Sequence, residues 1–324
     1  MSSSARSRNN TFSSLVLERN SELRDDSAWI QTRLTTPTAR FLLLRSDGKA
    51  LANASGDAIE TLNQAQRATL FTMDSIPTYL GTAEEDWFVL RADDPTAERA
   101  AAQSGGEFLD LRSAGLTLSA FDAGLFAYAR AISNWQERMR YCNICASPLG
   151  FVSAGHRAKC TNPQCATEHF PRTDPAIIVI VTRGGTCLLG RHASWPARRY
   201  STLAGFVEPG ETLEDCVRRE VYEESGVRVT DCDYHSSQPW PFPASIMLGF
   251  TATAEDATIR IGNELEDVRW FTPKQIVEEV ESGKLLLSPP LSISYRLIEQ
   301  WMASHGIDLT ALVMRSDPLL AARR

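Results

Sequence analysis

Between Gly205 and Val227 the chain reads GFVEPGETLEDCVRREVYEESGV, and this spacing leaves few choices of local structure. Thr212 suits a helix N-cap, with Asp215 three residues on in an approximate capping-box position. Leu213, Val217 and Val221 recur at four-residue spacing, an apolar stripe along one helix. Gly226 stands where such a helix stops. Glu220, Glu223 and Glu224 fall at i, i+3 and i+4, so their carboxylates share a face. Three carboxylates this crowded repel one another unless a cation offsets them, and hard oxygen ligands suit Mg²⁺ or Mn²⁺. A solvated acidic face is the plainer reading of the same three glutamates.

The fixed positions extend beyond the helix. Gly205 is followed after five residues by Glu211, and after seven more by Arg219-Glu220-Val221, Glu223-Glu224 and Gly226-Val227. This pattern, G-x5-E-x7-R-E-U-x-E-E-x-G-U with U apolar, is identified as the Nudix box, complete at every fixed position. The resemblance implies metal-assisted hydrolysis of a nucleoside diphosphate linked to another group. It implies divalent-metal ligation by Glu220, Glu223 and Glu224, with the Ala204 carbonyl completing the shell. Glu211 and Arg219 are expected to pair and hold the loop against the helix. Glu208 is either a further ligand or an exposed loop acid.

Downstream comes Ser237-Gln238-Pro239-Trp240-Pro241-Phe242-Pro243-Ala244-Ser245. Three alternating prolines fix φ and remove amide donors, so neither a helix interior nor a central strand fits. A stiff extended loop presenting Trp240 and Phe242 is expected, its aromatics either stacking on a base or packing in a structural turn. SQPWPFPxS after a Nudix box resembles the array of the NADH pyrophosphatase (NudC-type) subfamily. That resemblance implies hydrolysis of NADH or NAD⁺ to nicotinamide mononucleotide and AMP. It also implies removal of an NAD cap from RNA, and a homodimer. All nine residues, Gln238 and Ser245 included, then become expected substrate contacts.

Four of seven cysteines cluster as Cys142-x2-Cys145 and Cys160-x4-Cys165, fourteen residues apart. Two knuckles at hairpin spacing suit a structural zinc ribbon of four thiolates. Disulfides are the alternative, and they need an oxidising compartment. The subfamily carries a comparable ribbon before its Nudix domain. His156 and His169 are read as ordinary surface or loop histidines, and Cys187, Cys216 and Cys232 as packed thiols.

With 324 residues and 43% hydrophobic content the chain can hold two domains and a small module. A net charge of −7 argues against a nucleic-acid binder that relies on a generally basic surface. No apolar run approaches a membrane span and no secretory signal is seen, so the chain is expected to be cytoplasmic. Residues 1–12, polar and free of acids, read as a disordered start, with a transit peptide as the alternative. The expected layout continues with an N-terminal α+β domain over 13–138, a zinc ribbon over 139–170, a Nudix domain over 171–310, and a tail over 311–324. The N-terminal domain resembles that of NADH pyrophosphatases by position. Strands are expected at Ala39–Leu44, Asp86–Leu90, Ala176–Thr182, Leu188–Arg191 and Ile246–Phe250, and helices near 120–139 and 289–303. For the Nudix domain the resemblance implies an α/β/α sandwich around a mixed sheet.

Further site residues rest on the resemblance alone. Glu264, six residues before Trp270, matches a family glutamate that ligates metal or moves a proton, with Glu266 and Asp267 as competitors. Phe170 stands where the family has Tyr before Pro and lacks its hydroxyl. Ser294 aligns with a small residue that contacts substrate. Gly155 stands where the ribbon of relatives carries an acid. Basic residues Arg138, Arg140, Arg157, Lys159 and Arg172 could admit a capped RNA, making decapping the main role. A non-catalytic zinc-ribbon nucleic-acid binder is the reading from a different class, and the intact glutamate set opposes it. ADP-ribose or another nucleotide sugar as substrate is opposed by the Ser237–Ser245 array.

Overall fold

The computed structural model describes residues 2–72 and 75–316, so the expected tail over 311–324 lies partly outside the described residues. Two compact units form, one of residues 1–13, 174–239 and 245–324, the other of residues 14–173 and 240–244. The start of the chain does not match the expected disorder. Ser2 caps helix α1 (Ser3–Arg8) by accepting from the Ala5 N–H, and Asn10 and Phe12 are buried. Its polar composition conceals this because its hydrogen-bond partners lie more than two hundred residues away.

The second unit continues with α2 (Ser27–Thr35), β1 (Ala39–Arg45), β2 (Ala50–Ala52), β3 (Thr61–Leu62), α3 (Gln64–Leu70), β4 (Thr78–Thr82) and β5 (Asp86–Ala92). Then come α4 (Asp94–Ser104), β6 (Glu107–Leu109), α5 (Leu111–Ala114) and the long helix α6 (Ala120–Arg138). The strand order is β4-β5-β1-β2-β6, with β3 also pairing with β1. β1 runs parallel to β5, and Phe41 through Leu44 are buried in succession, as a strand covered on both faces requires. Strands β7 (Leu149–Val152), β8 (Arg157–Cys160) and β9 (Glu168–His169) make the three-stranded ribbon.

The other unit holds β10 (Asp174–Arg183), β11 (Thr186–Arg191), β12 (Arg199–Tyr200), β13 (Leu203–Phe206), α7 (Leu213–Ser225), β14 (Val229–Trp240), β15 (Ser245–Ala254) and β16 (Asp267–Phe271). It closes with α8 (Pro273–Glu281), β17 (Leu286–Leu287), α9 (Ile293–Ser304) and α10 (Leu309–Ser316). Alternation along β10 divides the core. Ile177, Val179 and Val181 pack with Val217 and Val221 of α7. Ile178 and Ile180 pack with Ile276 of α8 and with Leu297, Ile298 and Met302 of α9. Helices thus cover both faces of a mixed sheet, the α/β/α sandwich expected from the sequence.

The strand order here is β14-β15-β10-β11-β16, with β13 also pairing with β10. It repeats the first sheet term for term. In both, the central strand pairs parallel with the fifth strand of its set and antiparallel with the second and third. In both, a helix follows the third strand. One is α7 with its glutamates; the other is α3, reading QAQRATL without an acid.

Candidate active site

Helix α7 is built as its spacing predicts. Thr212 Oγ1 accepts from the Asp215 N–H at 3.1 Å and donates to the Asp215 carboxylate at 2.9 Å. The short Asp side chain reaches the capping hydroxyl, where a longer Glu or Gln would reach back to the N-cap N–H. Gly226 ends the helix at φ +72, a left-handed position that costs glycine little. Gly205 on β13 has a different task. A Cβ there would fall 1.9 Å from Glu220 Cδ, so the Glu220 carboxylate rests directly against the Gly205 backbone.

Arg219 gathers the acids around this point. Its Nε and Nη2 clamp Glu211 at 2.5 and 3.0 Å, and Nη1 donates to Glu220 at 2.9 Å and to Glu223 at 3.0 Å. Nη2 also donates to the Phe206 carbonyl at 2.9 Å, tying strand to helix. The clamp holds the Glu211 carboxyl down at about 2. Glu211 in turn accepts from the Glu208 N–H at 2.9 Å, which places Glu208 in the loop through its backbone. Glu223, expected among the ligands, is exposed and paired with Arg219.

Glu224 lies deeper, at 4% exposure, and its Oε2 has no hydrogen-bond partner. Burial first, then the charges of Glu220 and Glu264, push its carboxyl up to about 8, while a backbone hydrogen bond at Ala204 pulls it down. Burial likewise raises Glu220, against the pull of Arg219, and Glu223 and Glu264 add to the rise. The charge of Glu264, an exposed residue, thus acts on both the half-buried Glu220 and the buried Glu224. Its neighbours do other work: Glu266 pairs with Arg191, and Asp267 accepts from the Tyr200 hydroxyl. Leu265 is buried beside it, and His192 Nδ1 lies 3.0 Å from the Glu264 carbonyl, fixing the loop. A buried carboxylate oxygen with no donor, beside two further carboxylates, has the donor chemistry of a hard divalent cation site. The Ala204 hydrogen bond assists the carboxylate and so comes from its N–H; the expected role for its carbonyl is separate from this contact.

The Ser237–Ser245 array departs from the extended loop that was expected. Ser237 through Trp240 complete β14, an edge strand, which is where Pro239 is tolerated. Pro241 to Ala244 then form a tight turn, with a Phe242 N–H to Trp240 carbonyl bond of 2.7 Å, and β15 begins at Ser245. Gln238, expected to touch substrate, is fully buried. Its Nε2 donates to the Thr11 and Leu291 carbonyls at 3.0 and 2.7 Å, and its Oε1 accepts from the Ile293 N–H at 2.8 Å. Those bonds occupy both donors and leave one acceptor lone pair, so Gln238 braces the fold. Trp240 and Phe242 meet edge to face at 5.0 Å, and Arg112 lies 3.9 Å over the Phe242 ring. Their surface is therefore aromatic and cationic together.

Of two other expected contacts, Ser294 is buried and Phe170 is exposed. Ser294, at 1% exposure, bonds Ser201 Oγ at 2.8 Å and the Thr202 N–H at 3.1 Å, pinning the start of α9. Phe170 is 63% exposed, just past β9. Of the basic residues read as an RNA entrance, Arg157 is held by Asp25 and Glu168, and Arg140 donates to the Glu137 carbonyl.

In the ribbon, Cys142, Cys145, Cys160 and Cys165 bring four sulfurs within 4.8 Å of one another, the one such cluster among the described residues. Sulfur pairs at 3.8 and 3.4 Å are too long for disulfides. Four ~2.3 Å zinc–sulfur bonds at tetrahedral angles set sulfurs ~3.8 Å apart, so the geometry fits a closed zinc shell. His156 faces away, its Nε2 at 2.7 Å from the Tyr79 carbonyl, and burial pushes it down to about 4.

Two tests follow from this geometry. Gly205→Ala is expected to displace the Glu220 carboxylate and lower kcat about 10²-fold while the circular dichroism spectrum and melting temperature hold. A fully active variant would show that Glu220 can rest elsewhere. The second concerns Glu224 in metal-free protein. The folded state retains a proton up to about 8 that the unfolded carboxyl releases near 4.5, so folding loses stability as pH rises through that window. Urea unfolding in chelator should show this decline, and Glu224→Gln should flatten it.

Comparisons with known proteins agree with this geometry. Residues 172–288 match the NUDIX domain, and residues 23–135 match the NADH pyrophosphatase-like rudimentary NUDIX domain. The repeated strand order of the two sheets is thus a full and a rudimentary version of one fold. Among curated relatives, the human protein named NAD-capped RNA hydrolase NUDT12 is 33% identical over 90% of this chain and 73% of its own length. The protein named NAD-capped RNA hydrolase NudC from Mycobacterium bovis is 34% identical over 88% of this chain and 92% of its own. The chain belongs to the Nudix hydrolases, as a pyrophosphohydrolase of the NudC/NUDT12 type with an NADH pyrophosphatase-like N-terminal domain.

Proposed function

We propose that this chain hydrolyses the diphosphate of NADH or NAD⁺, releasing nicotinamide mononucleotide and AMP. The buried, donorless Oε2 of Glu224 beside Glu220 and Glu264 carries the reading, because it is an anionic pocket suited to a divalent cation. Glu220, Glu223, Glu224, Glu264 and the Ala204 carbonyl would hold Mg²⁺ or Mn²⁺, which when bound neutralises phosphate charge and acidifies an attacking water. Arg219 binds both Glu220 and Glu223, and Glu220 rests against Gly205. Glu264, from outside the box, would either ligate the metal or take the proton that the water gives up. Trp240, Phe242 and Arg112 offer ring faces and a guanidinium, a surface suited to the bases and phosphates of a dinucleotide.

NAD-capped RNA is the second substrate supported, since relatives at 33% and 34% identity carry that activity in their names. The bond cleaved would be the same. The homodimer implied by the sequence resemblance and a cytoplasmic site of action belong to this proposal, and no described helix is long and apolar enough to cross a membrane. The four ribbon cysteines are read as holding one structural zinc.

Incubation with NADH, NAD⁺, ADP-ribose and NAD-capped RNA in Mg²⁺ or Mn²⁺ tests the assignment through AMP release and cap loss. NADH or NAD⁺ should be cleaved ahead of ADP-ribose, and Glu224→Gln should lose several kcal/mol of catalysis, ~10³-fold or more in kcat. Intact NADH and NAD⁺ with wild-type protein would sink the proposal. For the ribbon, elemental analysis should find one zinc per chain, lost in Cys160→Ser together with heat stability.

A further inference from the structure

The segment around α1 is bound to the strand that carries the recognition array. Arg6 Nε donates to the His235 carbonyl at 2.9 Å. Asn10 Nδ2 donates to Ser236 Oγ at 3.2 Å and to the Ser237 carbonyl at 2.9 Å. In return the Ser237 N–H donates to Ser7 Oγ at 3.0 Å, and Gln238 Nε2 donates to the Thr11 carbonyl at 3.0 Å. Asn10 is 3% exposed, and Ser236 and Gln238 are fully buried.

β14 is an edge strand, so its outer backbone groups have no neighbouring strand. Residues 6–11 take that place with side chains. They hold one side of Gln238, while the Leu291 carbonyl and Ile293 N–H at the start of α9 hold the other. Buried polar groups that lose a partner cost more than the bond itself returned, so removing the Asn10 amide strips support from Ser236 and Ser237 together. Residues 6–11 also lie outside the two matched stretches, 23–135 and 172–288.

We propose that Asn10 is a positioning residue for substrate recognition, the centre of a clasp from residues 6–11 that fixes Ser236–Gln238, where the recognition array begins. This rests on the reading of Ser237–Ser245 as the dinucleotide-recognition array. The consequence is specific to binding: the glutamate site on α7 is built by other contacts and keeps its geometry without the clasp.

The test uses full-length Asn10→Ala, Asn10→Asp and Arg6→Ala with NADH, alongside hydrogen exchange followed by mass spectrometry. Asp keeps the size of Asn and lacks its N–H donors, so it should behave as Ala does. KM for NADH should rise about tenfold in both Asn10 variants, with kcat within about twofold of wild type. Exchange should quicken at residues 235–240 and stay unchanged through β10 and α7. Arg6→Ala, nearer the surface, should show the same pattern in weaker form and guards against misfolding of the Asn10 variants. Wild-type KM with wild-type exchange overturns the proposal. So does faster exchange across the whole sheet with kcat falling in step, which would make Asn10 a general fold contact. Wild-type protein that leaves NADH uncleaved overturns the recognition role through the reading beneath it, while local exchange still decides whether the clasp exists.

Discussion

Arg219 is the contact on which the catalytic helix depends. Carboxylates placed one helical turn apart repel, and burial raises the cost of each charge. A single guanidinium answers both difficulties by binding Glu211, Glu220 and Glu223 and by fastening the helix to the Phe206 carbonyl. A lysine would offer the same charge without the fork, and could not serve these partners from one position. The arrangement leaves Glu224 outside the arginine's reach. That carboxyl, half of it without a donor, is where the site's unspent electrostatic demand collects.

The division of labour within the array shows how a motif can mix two kinds of residue. Gln238 and the prolines determine where the chain goes, whereas Trp240 and Phe242 form the surface that results. Ser294 behaves as Gln238 does, spending its hydroxyl on Ser201 and Thr202.

What was legible in the sequence depended on how local its cause was. The helix over Leu213–Ser225, its cap, its stop and its apolar stripe all follow from spacing within a few residues, and so does the alternating burial of β10. The cysteine knuckles are legible for the same reason. Gln238 misled because polar residues among prolines read as exposed, while its partners Thr11, Leu291 and Ile293 are 227, 53 and 55 positions away. The first twelve residues misled likewise, their composition being that of a solvated tail and their partners lying on β14. Choosing among Glu264, Glu266 and Asp267 also needed the fold, which occupies the last two with Arg191 and Tyr200.

The repeated sheet order lets the two helices that follow the third strands be compared by length. In α7 the three glutamates stand at the eighth, eleventh and twelfth residues of a thirteen-residue helix. The corresponding helix α3 has seven residues and ends at Leu70, with Phe71 as its cap. At ~1.5 Å per residue it stops about one turn short of where the last two of those side chains would begin. The seven residues of α3 therefore offer no eighth, eleventh or twelfth position on the helix. In helix length, then, the rudimentary copy lacks the platform on which α7 presents its glutamates.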